Sequence, residues 1–140
     1  MIRSFTKALS LLVLCAATFS ACKKDKKDDS LAVTKENLVG TYVISSIKLN
    51  GTDVFQLYPT CEKDDQYKLN SDLTLEYKDA GTVCSSSGDF TSTWSVSGSK
   101  VTIDGEEATV KTLTKGTLVT EYTESGGGAT ATVTTTYSRK

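Results

Sequence analysis

The chain has 140 residues, with 16 Lys and Arg against 17 Asp and Glu, four Cys and no His. Without His, neither a Ser-His-Asp nor a Cys-His nucleophile can be assembled, and the commonest general base is missing. The near-balanced charge leaves no basic cluster in the folded part to meet phosphates, so no nucleic-acid partner is expected.

Residues 1–7 carry Arg3 and Lys7 and no acid; residues 8–19 form an apolar run centred on Leu11, Leu12, Val13 and Leu14. At about 12 residues this run is too short for a bilayer core that takes roughly 20. A basic start, a short apolar stretch and a small-residue exit predict a secretory signal peptide over residues 1–21. The exit, Ser20-Ala21-Cys22, resembles the lipobox of bacterial lipoproteins, with Phe19 where Leu is usual. That resemblance implies that Cys22 is acylated, becomes the mature N-terminus and makes the membrane a partner. Each buried methylene contributes roughly 0.8 kcal/mol, and stable anchoring takes more than one chain.

Residues 22–33 are expected to be a flexible tether. Lys23-Lys24-Asp25-Lys26-Lys27-Asp28-Asp29-Ser30 contains no apolar residue and cannot bury surface. Lys27-Asp28-Asp29 resembles the export signals of Bacteroidota surface lipoproteins, and Asp29-Ser30-Leu31 resembles a three-residue O-glycosylation motif of that phylum. The implied location is the outer membrane, on its periplasmic face or at the cell surface.

One domain is expected over residues 34–140. Thr34 can cap a helical turn that reaches Leu38. From Gly40 onward Thr, Ser, Val and Tyr dominate, and turn signals recur roughly every 8 to 12 residues, which predicts an all-β fold. Strands are expected over 41–49, 65–69, 73–78, 90–96, 100–103, 108–114, 117–123 and 130–137. Asn50-Gly51, Asp104-Gly105 and Lys115-Gly116 supply turns. Residues 53–60, which include Pro59, read as a loop or lid. Asn70-Ser71-Asp72 is expected to set Leu69 opposite Leu73. An antiparallel meander of eight such strands can close on itself and remove its edges. A barrel of that size is either filled by its own side chains or holds one small ligand.

The cysteines divide by position. Cys15 leaves with the signal and Cys22 carries the lipid. Cys61 and Cys84 remain as an even pair in an oxidising compartment, which predicts a disulfide. A bulge at Ala80-Gly81 would help to bring them together. Closing a loop of about 23 residues is worth roughly 3 kcal/mol in the chain-entropy description.

Leu38-Val39-Gly40-Thr41-Tyr42, the Cys61 and Cys84 pair, and Thr93-Trp94-Ser95-Val96-Ser97-Gly98 together resemble the lipocalin-like domains of Bacteroidota lipoproteins, over residues 37–137. In lipocalins the first strand opens with Gly-x-Trp, whose Trp plugs the barrel floor; here Tyr42 takes that place. The resemblance implies an eight-stranded barrel and no particular ligand. An immunoglobulin-like sandwich is the rival fold, but its core Trp lies between the two Cys, whereas Trp94 follows both.

The expected function is binding of a small apolar or amphipathic ligand by a monomeric, lipid-anchored barrel. Phe55 and Tyr58 on the lid segment and Trp94 in the barrel are the candidate contacts. The alternative is a surface module that contacts a protein or glycan, with its barrel filled. No cofactor, metal site or enzymatic activity is expected. The carboxylate clusters Glu62-Lys63-Asp64-Asp65 and Asp104-Gly105-Glu106-Glu107 flank turns, where acids are commonly just solvated.

Overall fold

A computed structural model describes residues 29–84, 88–126 and 128–140. The expected signal peptide, Cys22 and the tether as far as Asp28 lie outside the described residues. The rest opens with a single helical turn, α1 (Lys35–Leu38), whose cap Thr34 accepts the Asn37 N–H at 3.3 Å.

Nine strands follow: β1 (Gly40–Leu49), β2 (Thr52–Asp53), β3 (Gln66–Leu69), β4 (Thr74–Lys78), β5 (Phe90–Ser97), β6 (Lys100–Ile103), β7 (Glu106–Leu113), β8 (Thr117–Gly126) and β9 (Ala129–Arg139). From β3 to β9 each pairs antiparallel with the next, and β1 pairs with both β3 and β9. Eight strands thus close into a barrel. The two-residue β2 folds back only on the end of β1. In the turns Asn50-Gly51 and Asp104-Gly105 both residues have positive φ, the left-handed conformation that tight hairpins of this twist require.

Alternation along the strands puts one face inside, and two bulges reset it. In β1 the register against β9 shifts between Ile44 and Ser46; in β7 it shifts against β8 between Val110 and Thr112. Each inserts one residue, so Ile44 and Ile47 line the same interior cavity, and Val110 and Leu113 are both buried. The β3–β4 hairpin differs from expectation. Leu69 pairs with Leu75 instead of Leu73, because Leu73 adopts φ 70° within the turn. Asp72 holds the turn by accepting the Thr74 N–H at 3.0 Å. The shift is two residues, so every side chain keeps its face.

The core lies toward one end of the barrel. Leu38, Tyr42, Leu69, Leu75, Trp94, Val101, Val110, Leu113 and Leu118 form one buried cluster, against which Leu31 and Val33 also pack. The Leu31 N–H donates to the Leu113 carbonyl at 2.7 Å, so the entering chain is stitched across this end. Tyr42 donates its hydroxyl to the Leu38 carbonyl at 2.8 Å. The Arg139 guanidinium lies 5.1 Å from the Tyr42 ring centre and donates both to the Tyr42 hydroxyl and to the Asn37 carbonyl. Gly40 makes room for it: a Cβ there would stand 3.0 Å from Arg139 Nε. Tyr42 is thus buried in the core at this end of the barrel, at the position where lipocalins carry the Trp of Gly-x-Trp.

Candidate ligand-binding site

The remaining interior is a cavity of about 380 Å³. Six aromatic rings line it: Tyr58, Tyr67, Tyr77, Phe90, Tyr122 and Tyr137. Ile44, Ile47, Ile103 and Val133 supply aliphatic wall, and Asp104 and Glu106 are the charged residues among the lining side chains. This volume falls in the usual range for small-molecule sites, and so does the mixture of apolar wall with few polar groups. A smaller void of about 60 Å³ adjoins it, sharing Ile103, Glu106, Tyr122 and Tyr137.

The rings are set by the strand registers. Tyr67 on β3 pairs with Tyr77 on β4, and Tyr77 pairs with Phe90 on β5. Cross-strand neighbours on one face are close enough to touch. Tyr67 and Tyr77 meet edge to face at 5.2 Å, and Tyr77 stacks on Phe90 at 4.6 Å. Tyr137 on β9 meets Tyr67 at 6.0 Å and Tyr42 at 6.5 Å, both edge to face. A continuous run of aromatic contacts thus leads from the β5 edge to the floor.

The segment between β2 and β3 places one further ring. It contains two 3-10 turns, Phe55–Leu57 and Thr60–Glu62. Asp53 accepts the Phe55 N–H at 2.9 Å and starts the first. Phe55 stacks on Tyr58 at 5.9 Å, and the Lys63 ammonium lies 5.2 Å from the Phe55 ring centre. Cys61, on the second turn, is disulfide-bonded to Cys84 with Cα atoms 5.3 Å apart. That bond ties the segment to the chain leaving β4. Beside it, Asp65 is almost fully buried; it accepts the Tyr77 hydroxyl on one oxygen and the Ala80 N–H, at 3.0 Å, on the other. Gly81, at φ 66°, packs directly on the Asp64 carboxylate, which an added Cβ would force aside. The bulge expected at Ala80-Gly81 is not formed: β4 ends at Lys78, and the register that pairs Leu69 with Leu75, carried along the hairpin, sets Cys61 opposite Val83, one residue from Cys84.

A phenol network follows from this arrangement. The Tyr58 phenol lies close enough to the Tyr67 hydroxyl and the Glu62 carboxylate for each to act on its protonation. Burial first, then the neighbouring Glu62, pushes the Tyr58 phenol up to about 12. Burial likewise holds the phenols of Tyr67, Tyr77 and Tyr137 well above the ordinary tyrosine value. All four therefore stay neutral hydroxyls, able to donate to a ligand or to each other.

The shape of the fold and of this cavity agrees with the sequence comparison. A family model described as a lipocalin-like domain matches residues 38–120. The chain belongs to the lipocalin-like domain family. No curated protein and no solved structure matches it. The matched stretch runs from the end of α1 into β8, so it contains the buried Tyr42, the disulfide and most of the cavity wall.

Within this lipocalin-like barrel the candidate contacts fall in three different places. Tyr58 lines the cavity. Phe55 does not line it but backs Tyr58 through the stack. Trp94 is a core residue, only 2 % exposed, and its Nε1 donates to the Asn70 carbonyl at 2.9 Å. It is absent from the cavity wall because it lies among the buried cluster around Leu75 and Val101. Ile44, Ile47, Val133 and Thr135 are wall residues that sequence reading missed. For Val133 the inward alternation with Tyr137 was the available signal; for Ile47 the bulge hid it. The carboxylate clusters are dispersed: Asp65 is a structural acceptor, Glu107 pairs with Lys100, and Asp104 accepts the Ser92 hydroxyl at 2.5 Å.

Proposed function

We propose that this chain is a lipid-anchored envelope lipoprotein whose lipocalin-like barrel carries one small apolar or amphipathic ligand. The observation that supports the binding role is the partly open cavity of about 380 Å³ with its aromatic wall. A barrel built only as a scaffold has no need for such a void, since protein interiors otherwise pack to crystal density. The anchor rests on the signal-like leader and on Ser20-Ala21-Cys22. With Cys22 acylated, a charged tether before residue 34 would hold the barrel off an outer-membrane surface, on the periplasmic side or outside the cell. The binding reading involves no chemical transformation, so the protein acts as a monomeric carrier and not as an enzyme.

Native mass spectrometry of the full chain after exposure to envelope extract tests the carrier role. A discrete added mass, released on denaturation, is the expected result. Val133→Trp and Ile47→Trp, which fill the cavity from neighbouring positions on the paired strands β9 and β1, should each abolish it while circular dichroism still reports the barrel. A bare mass under all conditions would favour the surface-contact alternative, for which Leu57, 85 % exposed beside the disulfide-tied segment, is the point of interest. For the anchor, Cys22→Ser should move the protein from the membrane fraction to the soluble one. If Cys22→Ser still sediments with membranes, the acyl anchor is wrong.

A further inference from the structure

The cavity is unusual in the sign of its surroundings. Asp104 and Glu106 line it, and no Lys or Arg does among the described residues. Two more acids stand behind its aromatic wall: Asp65 accepts the Tyr77 hydroxyl, and the Glu62 carboxylate lies near enough to the Tyr58 phenol to raise it. The nearest lysine on the adjoining segment, Lys63, is turned to the Phe55 ring outside the wall. A phenol that donates its proton toward a carboxylate gains electron density in its ring, which deepens the negative potential of its π face. Cations are attracted to such faces, and rings set at right angles to one another present several of them to one point. The Tyr67 ring stands edge to face with both Tyr77 and Tyr137.

Asp104 and Glu106 are solvent-exposed residues at the β6–β7 hairpin, and Glu106 acts on phenols of the wall. Burial is the first cause that raises the Tyr122 and Tyr137 phenols, and the Glu106 carboxylate adds to it in both. A fatty-acid-like anion would meet this field with its carboxylate and would find no cation to pair with. A wholly neutral ligand would leave the field unused.

We infer that the cavity selects a small organic cation, an amine or quaternary ammonium on an apolar body, held by the tyrosine wall with Asp104 and Glu106 at the charged end. This rests on the reading of the cavity as a ligand site and adds the ligand's charge class to it.

Three probes of nearly equal shape separate the possibilities: trimethyl(2-phenylethyl)ammonium, its neutral tert-butyl isostere 3,3-dimethylbutylbenzene, and 3-phenylpropionate. Affinities for the full chain are measured by tyrosine and tryptophan fluorescence and by calorimetry. The cation should bind at least about tenfold tighter than the isostere, within the range that aromatic faces and carboxylates supply, and the carboxylate should bind weakest. Added salt should narrow the ratio between cation and isostere. Glu106→Gln and Asp104→Asn should narrow it as well, whereas Glu121→Gln, on the outer surface and paired with Lys111, should leave it at the wild-type value. Equal or tighter binding of the isostere or the carboxylate would overturn the inference. So would failure of the cation to bind while envelope extract still yields a bound mass, and in that case the carrier role survives. If no probe binds and no extract mass appears, both readings fall together.

Discussion

Asp65 has almost no contact with water, yet both its oxygens are occupied, one by the Tyr77 hydroxyl and one by the Ala80 N–H. A buried carboxylate satisfied in this way is costly to remove, because its donors are left without acceptors. Asp65→Ala should lower stability by about 2–4 kcal/mol in urea unfolding, and Asp65→Asn, which keeps one acceptor oxygen, should lose less. An Asp65→Ala protein as stable as the parent would show that the bridge contributes nothing. Trp94 permits a sharper separation of packing from binding. Trp94→Ala should cost about 3–5 kcal/mol as a large buried ring is deleted. Trp94→Phe should weaken stability far less and leave the affinity for any cavity ligand unchanged, since Trp94 is not on the wall; a large affinity loss in Trp94→Phe would restore it as a contact. The sequence placed Trp94 inward through its alternation with Val96. It carries no information on height along the barrel axis, and height is what separates a core residue from a wall residue. Arg139 was similarly opaque. It follows Tyr137 by two and so shares its face, but only closure of β9 on β1 brings its guanidinium over Tyr42.

The segment between β2 and β3 brings Tyr58 to the cavity wall. It has few backbone partners: two 3-10 turns, the Asp53 cap and the Cys61–Cys84 disulfide. Removing that disulfide with Cys61→Ser and Cys84→Ser together should cost about 3 kcal/mol. The loss should also be local. Amide exchange should quicken over residues 54–65 well before it quickens in β8 and β9, whose long antiparallel pairing runs from Thr117–Ser138 to Gly126–Ala129. Uniform quickening across the barrel would show that the bond stabilises the whole fold and not this segment. The helical turn and all eight barrel strands were legible, because Gly-containing turns punctuate alternating strands. The bulges were not. Ser45-Ser46 and Lys111 look like ordinary strand residues, and the insertion becomes visible only against a partner. The β8–β9 hairpin extends further than expected, to Gly126 and Ala129. Its tip is Ser, Gly and Thr, which are weak local signals, and it forms because the strands below have already fixed the register.

At the scale of the whole molecule, closure is what the sequence could only imply by counting strands. The β1–β9 pairing joins residues some ninety positions apart, and no local pattern encodes it. Closure has a consequence that can be titrated. The chain has six tyrosines, and every one of them, Tyr42, Tyr58, Tyr67, Tyr77, Tyr122 and Tyr137, has its phenol raised above the ordinary value of 10.0, with burial as the leading cause. In the unfolded chain these phenols lose their protons near that ordinary value. In the folded chain they hold them to higher pH, about 12 for Tyr58. Proton affinity is therefore greater in the folded state, and this contribution to stability is fully present below pH 10 and lost as pH rises through the folded values. The urea midpoint should be nearly flat on the neutral side and then fall steadily from about pH 10 to about pH 12. Over that interval the tyrosinate absorbance should rise together with the loss of β-sheet signal, not ahead of it. Tyr58→Phe and Tyr67→Phe should each reduce the steepness of the fall, since each removes one group that titrates between the two states. Six phenols ionising near pH 10 with the barrel intact would contradict the burial of these rings, and with it the aromatic wall on which the binding site depends.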